Sequence, residues 1–265
     1  MPKVLLLTST HCRHRFVATL VAEKLDLLGL LQEEKSFVPE TYAGSKEDLD
    51  IIRSHFALRD ASEEAFFGKH TSLHLPKTTL HRHLTPGTIN DAAELERMVS
   101  LKPDVVLVYG TGILRAGIIE AFPGRIINIH LGLSPFYRGS GTNFWPLVNR
   151  EPEYVGATIH YLDAGIDTGP IICHVRPEIA ESDGPHEIGN KAIIAAADAF
   201  IRAAKLHVEG KIKAHPQRGE GKLYRRQDFS ADAVRRMRKN FETGMIPEYL
   251  AQKTGRDARI PLVSF

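Results

Sequence analysis

Asn128 and His130 stand two apart in the apolar run Arg125–His130, which has the length and composition of a buried strand. Side chains alternate along a strand, so both project from one face. They fall at its C-terminal end, where open parallel α/β sheets usually bind ligands. A carboxamide beside an imidazole joins a fixed hydrogen-bond donor to a group that gives or takes a proton near neutral pH. Taken alone, the pair is also what a strand end meeting water looks like. A second candidate, Asp167, lies 39 positions after Asn128, between Gly165 and Gly169-Pro170. An aspartate before Thr-Gly is ordinary in an Asx-type turn, and spacing alone does not couple it to Asn128 and His130.

The residues after His130 carry more information. Residues 130–145 hold Gly132, Pro135, Gly139 and Gly141 beside Trp145, the sole tryptophan, and follow neither helix nor strand periodicity. They predict a shaped loop over the strand ends, the kind of segment that carries function when a rigid scaffold holds it. Other clusters read more plainly. His11, Cys12 and His14, and His81 with His83, are expected to be solvated loop residues, and no metal is expected. Gly110-Thr111-Gly112 begins like a dinucleotide fingerprint, but Arg115 occupies its third glycine position and the strand before it comes late in the chain. No G-x-S-x-G sequence supports a serine hydrolase.

The elements that must position these residues follow an α/β alternation. Lys3–Thr8 is a strand. The apolar spacing from Phe16 to Leu28 predicts a helix. Helix is expected over Ser45–Phe67, loop over 68–90, helix over Asp91–Leu101 and a short helix over Ile113–Ala121. Strands are expected at Asp104–Tyr109, Arg125–His130, Ala157–Leu162 and Pro170–Val175. A long helix follows at His186–Val208, with Ser182 or Asp183 as its cap. The expectation is a Rossmann-like, mostly parallel sheet flanked by helices over residues 1–209, with a small C-terminal appendage over 210–265. That appendage carries a basic cluster at 218–239.

Composition excludes little beyond disorder. The 265 residues are 43% apolar and 25% charged, with a net charge of +2 and two cysteines, Cys12 and Cys173. The cysteine usage fits a reducing compartment, and no run reaches the ~20 apolar residues of a membrane helix. The first apolar stretch, Val4–Leu7, is too short for a signal peptide, so a cytoplasmic location is expected.

In combination these motifs resemble a known family. Asn-x-His on a strand, Ser-Pro-x-Tyr-x-Gly at 134–139, Gly-x-Thr-x-His at 156–160 and Asp-x-Gly-Pro at 167–170 look like the folate-dependent formyltransferases. Glycinamide ribonucleotide, methionyl-tRNA and sugar N-formyltransferases belong to that group. The resemblance covers roughly residues 1–205. It implies a catalytic trio of Asn128, His130 and Asp167, and 10-formyltetrahydrofolate as cofactor. Thr111, Gly112, Ile113 and Leu114 match the segment whose backbone holds the pterin, and Asp163, Ala164, Gly165 and Ile166 belong to the loop that closes over it. Ser134, Tyr137, Arg138, Gly139 and His160 match motif positions on the acceptor side, His160 being equally readable as a structural strand-end residue. The physical chemistry agrees: an amine attacking a formyl carbon develops an oxyanion, which Asn128 and a protonated His130 can stabilise. Asp167, if adjacent, favours the charged ring and can relay a proton.

Departures from the family pattern bear on the acceptor. The first loop, Thr10–Arg15, lacks the glycines with which the purine-pathway enzyme holds its acceptor's phosphate; Arg13 and Arg15 could contact a phosphate instead, or could simply be a solvated charged loop. His-Leu-Gly-Leu-Ser-Pro replaces the commoner His-x-Ser-Leu-Leu-Pro. About 55 residues after position 210 are a poor match to the tRNA enzyme's C-terminal domain, and the nearly balanced charge is a poor match to a polyanion. The expected acceptor is therefore a small amine, most naturally an amino sugar carried on a nucleotide. Neither nucleic acid nor a membrane is expected as partner, and a homodimer is left open. Glycinamide ribonucleotide, an amino acid or peptide amine, water as in a formyl-folate hydrolase, and a non-catalytic folate-binding module are the alternatives.

Overall fold

The computed structural model describes residues 1–35, 37–70 and 72–265. Its first unit is strand β1 (Lys3–Thr8), helix α1 (Cys12–Lys24) and strand β2 (Asp26–Glu33). Helix α2 (Lys46–Phe67), capped by the Ser45 hydroxyl accepting from Asp48 N–H, leads to strand β3 (Leu80–Leu84). Then follow α3 (Ala92–Ser100), β4 (Val105–Tyr109), α4 (Ala116–Ala121), β5 (Ile126–His130), the short strand β6 (Tyr137–Gly139) and α5 (Trp145–Val148). The hairpin β7 (Ala157–Tyr161) and β8 (Ile171–Val175) precedes the long helix α6 (Pro185–Val208). The chain closes with β9 (Lys222–Tyr224), α7 (Ala231–Glu242) and α8 (Met245–Asp257).

Seven strands form one sheet in the order β3-β2-β1-β4-β5-β7-β8. The first five run parallel, and β7 is antiparallel to both β5 and β8. Strand order reverses between β1 and β4, which makes their C-terminal ends the switch point of the sheet. Leu5, Leu7, Val106 and Val108 face one helical layer; Val4, Leu6, Leu107 and Ile127 face the other, where α1 and α6 pack. Both faces are covered, so these strands are continuous apolar runs rather than alternating ones.

Two strands depart from the sequence expectation. The helix expected to run to Leu28 ends at Lys24, and Asp26–Glu33 is β2. A fully buried parallel strand has no alternation, so Leu27, Leu28, Leu30 and Leu31 extend a helical spacing as readily as they form a strand. Leu80–Leu84 falls within the span expected to be loop, of which Thr71 lies outside the described residues. It is an edge strand whose His81 and His83 face away from the core, which hides the apolar signal. The cap of α6 is Gly184; Asp183 instead accepts from Ala180 N–H and pairs with Lys191 at 2.6 Å. Among the described residues no helix is long and apolar enough to cross a membrane.

β9 pairs in parallel with β6, and α7 and α8 share a hydrophobic cluster with Tyr137, Trp145, Leu147 and Ile188.

Candidate functional site

The face of β5 that carries Asn128 and His130 lies against β7, and the antiparallel register sets Asn128 opposite His160 and His130 opposite Thr158. Directly opposed residues share a face, so this pairing builds the centre of the site. His160 Nδ1 lies 2.8 Å from the Tyr161 carbonyl, which can only accept, so the proton sits on Nδ1. Its Nε2 then accepts from the Asn128 amide at 3.0 Å. Burial, reinforced by the neighbouring His130, holds the His160 pKa below its ordinary value and keeps the ring in that neutral form. His160 therefore fixes which way the Asn128 amide points. The His160 side chain is buried, 2% exposed.

His130 has an acceptor on each ring nitrogen. Nε2 lies 2.9 Å from the Tyr137 carbonyl and Nδ1 3.3 Å from Asp167 Oδ2. Only the doubly protonated ring donates to both. Burial disfavours that cation, but the Asp167 carboxylate outweighs burial and the pKa lies above its ordinary value. For Asp167 burial likewise works against the charge, and His130, His160 and the Gly139 N–H overcome it, bringing the carboxyl down to about 2. The coupling that spacing could not reveal is thus direct. Asp167 reaches back from the β7–β8 hairpin with a left-handed backbone, φ 52°, and its Oδ2 accepts from Gly139 N–H at 3.1 Å. A non-glycine residue in that region carries conformational strain, a recurrent mark of functional sites.

The loop between β5 and α5 is pinned from below. Thr158 Oγ1 accepts from Ser134 N–H at 2.8 Å and donates to the Gly132 carbonyl at 2.6 Å. The Thr142 hydroxyl donates to the Leu131 carbonyl, and His174 Nε2 lies 2.8 Å from the Ser134 carbonyl across a loop that contains a cis Ser134–Pro135 bond. Ser134 and Tyr137, expected on the acceptor side, are 0% and 1% exposed. Their carbonyls lie against His174 and His130; the Tyr137 hydroxyl is held by Glu151 and Asn149, whereas the Ser134 hydroxyl is buried without a hydrogen-bond partner among the described residues. Arg138 and Gly139 remain half-buried at the surface, with Arg138 close enough to oppose the charge on His130. Gly139 has φ 90°, and a Cβ there would meet the Tyr224 carbonyl at 2.1 Å, so only glycine lets β6 and β9 approach.

The segments expected to hold a pterin are held in shape by residues the sequence reading did not single out. Glu33, at the end of β2, accepts from Gly112 N–H at 2.8 Å, from Gly87 N–H at 2.9 Å and from the Thr111 hydroxyl at 3.4 Å. Asn90 accepts from Arg115 N–H and donates to the Ile113 carbonyl. Leu114 packs into the core, whereas the Ile113 side chain is 83% exposed. On the other loop, Asp163 accepts from Gly165 N–H and the Thr168 hydroxyl, Ala164 and Gly165 are at the surface, and Ile166 is 57% exposed.

The expected phosphate ligands are divided. Arg13 is largely buried and bound to Glu63 at 2.5 Å, while Arg15 is exposed on the first turn of α1. His14 corrects the expectation of a solvated loop: it is 2% exposed, packed on Tyr109 with ring centroids 4.9 Å apart, because α1 begins at Cys12 and turns it inward. In the basic cluster, Arg235 is bound by Asp48 and Asp232 and Lys222 by Glu151. Among the described residues no carboxylate lies within ion-pair distance of Arg225 or Arg226.

The sequence reading also passed over Gln217, whose Nε2 donates to the carbonyls of Asp167 at 2.7 Å and Gly169 at 2.9 Å. Nothing in its neighbourhood in the sequence signals this, since the contact spans 50 residues. Thr158 and His174 were legible only as strand residues.

The family model described as formyl transferase matches residues 9–204. A methionyl-tRNA formyltransferase from Thermodesulfovibrio yellowstonii is 32% identical over 136 residues, 51% of this chain and 44% of that protein. The chain thus spans less than half the length of this curated relative. Among solved structures, an N-formyltransferase from Helicobacter canadensis in complex with folinic acid and dTDP-3-aminofucose superposes with a TM-score of 0.55 at 16% identity, over 89% of this chain and 79% of that one. A glycinamide ribonucleotide transformylase from Symbiobacterium toebii gives 0.55 at 19% identity, over 81% and 94%. At these identities the structural likeness is one of fold.

Proposed function

Because this chain belongs to the formyl transferase family, we propose that it moves a formyl group from 10-formyltetrahydrofolate to the amine of a nucleotide-linked amino sugar. The observation that carries the formyl-transfer reading is the convergence of Asn128, His130 and Asp167, with a ring that two acceptors keep cationic. Thr111–Leu114 and Asp163–Ile166 would hold the cofactor, with Ile113 and Ile166 as its apolar contacts. When bound, 10-formyltetrahydrofolate supplies an electrophilic formyl carbon on a nitrogen leaving group. Asn128, oriented by His160, has a second amide N–H to offer a formyl oxygen that gains charge. His130 adds a fixed positive charge in a water-poor setting, where such stabilisation is strongest. Asp167 keeps that charge in place and would relay the proton lost by the attacking amine, through water, to the folate nitrogen as its bond to the formyl carbon breaks.

The acceptor assignment rests on Arg225 and Arg226, which have no carboxylate in ion-pair distance among the described residues, and on the nucleotide-sugar complex of the Helicobacter protein. The 32% identity to a methionyl-tRNA enzyme favours a second reading, with aminoacyl-tRNA as acceptor. The deciding experiment incubates the protein with formyl-folate and a panel of amines and reads formylated product by mass. Formylation of nucleotide-linked amino sugars is expected. Efficient formylation of methionyl-tRNA, glycinamide ribonucleotide or a free amino acid replaces the acceptor and leaves the chemistry standing; no product with any amine removes the reading.

A further inference from the structure

A surface cavity of about 640 Å³ opens between the 3-10 turn Pro39–Tyr42 and the segment that follows β9; Tyr42, Arg225, Arg226, Gln227, Phe229 and Ser230 line it. We infer that this cavity seats the nucleoside diphosphate end of the acceptor, with Arg225 and Arg226 on the phosphates and the Tyr42–Phe229 wall against the base. The inference rests on the nucleotide-linked acceptor proposed above and locates it.

Charge is the first argument. Two arginines nearby are neutralised: Arg53 pairs with Glu40 at 2.5 Å, and Arg235 with Asp48 at 2.8 Å. Arg225 and Arg226 are not, among the described residues; Asp228, the nearest carboxylate in sequence, accepts from the backbone N–H of Arg225 instead. Two adjacent guanidinium groups with no carboxylate in ion-pair distance among the described residues gain from a dianion, and guanidinium forks match phosphate oxygens two at a time.

Shape is the second. Tyr42 and Phe229 meet edge-on with ring centroids 5.8 Å apart, and Phe37 stacks on Tyr42 at 5.2 Å and 11° while remaining 41% exposed. Aromatic faces next to cations are what a base joined to phosphates requires, and stacking accepts any base. The volume lies within the usual range of small-molecule sites.

Reach is the third. Tyr224 is the register partner of Gly139, whose N–H holds Asp167, and Arg225 follows it directly. Strand spacing and Cα–Cα steps place the Arg226 backbone within about 12 Å of Gly139. A sugar ring and a diphosphate can bridge that gap, with the amine at Asn128 and His130.

The test is calorimetric titration of the full chain with uridine, thymidine and guanosine diphosphates and with inorganic pyrophosphate, at low and at moderate salt. At least one nucleoside diphosphate should bind with a sub-millimolar Kd that weakens with salt. Arg226→Gln and Arg225→Gln should each weaken it about 10-fold or more, the scale of a charge-assisted contact. Tyr42→Ala should weaken the nucleoside diphosphate at least about 5-fold, the low end for one stacked base, yet leave pyrophosphate within about 2-fold. The melting temperature of each variant checks its fold, and Arg226→Glu, on an exposed side chain, repeats the charge test with the sign reversed. Absence of diphosphate binding at millimolar concentration, or binding indifferent to all four substitutions, overturns the inference. A folate analogue titrated in parallel separates the two levels: if it binds and an amine is formylated while diphosphates do not bind, only the cavity assignment falls; if it does not bind either, the proposed function falls with it.

Discussion

His130 and Asp167 hold each other's charge, and that mutual dependence sets what each substitution should do. Asp167→Asn keeps the shape and removes the carboxylate, so the ring pKa should fall and turnover should drop by about 10²-fold or more, the scale of a lost oxyanion donor. The rate profile against pH gives the distinguishing signature. In the wild type the basic limb should lie above the ordinary imidazole range, because the His130 pKa is raised; in Asp167→Asn that limb should move to lower pH. An unmoved limb would mean that His130 is not the titrating group. Stability follows the same linkage. A raised His130 pKa contributes stability that is full below about 6.5 and lost as pH climbs through the folded value. A depressed Asp167 contributes above about 3.8 and loses its effect as pH falls towards about 2. Denaturant melts of wild type and Asp167→Asn should therefore differ most between about pH 4 and 6.5, and the gap should narrow on the alkaline side. Much of this residue-level picture was legible in the sequence. Asn128 and His130 share a face because strand periodicity requires it, and the motif resemblance brought in Asp167. The duty of His160 was not legible, because it depends on β5–β7 register and on a tautomer chosen by the Tyr161 carbonyl. Nor was the burial of Ser134 and Tyr137, whose motif positions work through their backbone.

At the scale of elements, apolar runs located β1, β4, β5, β7 and β8, and helical spacing located α2, α3 and α6. β2 escaped because burial on both faces erases the period that separates strand from helix, and β3 because an edge strand carries His81, Arg82 and His83 in place of an apolar run. The loops depended on contacts between distant segments. Glu33 joins the ends of β2 and β4, and Gln217 joins the C-terminal segment to the Asp167 turn. Gln217 yields a prediction that separates positioning from catalysis. Its amide donates to two carbonyls that hold the left-handed Asp167, each contact contributing about 0.5–1.5 kcal/mol. Gln217→Leu should lower kcat roughly 3- to 10-fold with less change in KM. It should also move the basic limb of the pH profile towards that of Asp167→Asn, since a loosened turn holds the imidazolium less well. A fall in melting temperature with an unmoved pH profile would assign Gln217 to structure alone.

At the scale of the whole molecule, composition implied one α/β unit with a C-terminal segment set apart by its basic cluster and the Gly219-Glu220-Gly221 break. In three dimensions that segment pairs a strand with β6, in the loop beside the proposed trio, and supplies five of the twelve buried residues of a core cluster. Tyr224 stacks on Trp145, with ring centroids 4.3 Å apart and planes 8° apart, and Ala233, Met237, Met245, Ile246 and Tyr249 pack with Tyr137, Leu147 and Ile188. The catalytic loop is therefore held between the sheet and α7–α8, and its order should depend on both. Met237 tests this dependence because it is 2% exposed and remote from the trio in sequence. Met237→Ala removes buried apolar volume and should destabilise the protein by about 2–5 kcal/mol. Each kcal/mol corresponds to about 2–4 °C in Tm for a chain of this size. If residues 210–265 fold with the rest, calorimetry should record one transition, displaced as a unit. If they were an autonomous appendage, the substitution would split off a low-temperature transition and leave the main one where it was. Activity assayed well below the transition supplies the second half of the test. There the loop remains docked, so kcat should stay within a few-fold of wild type, far from the loss expected of Asp167→Asn. A collapse of kcat at temperatures where the fold is intact would instead mean that α7 controls the geometry of the trio through β9, Gly139 and the carboxylate that Gly139 holds.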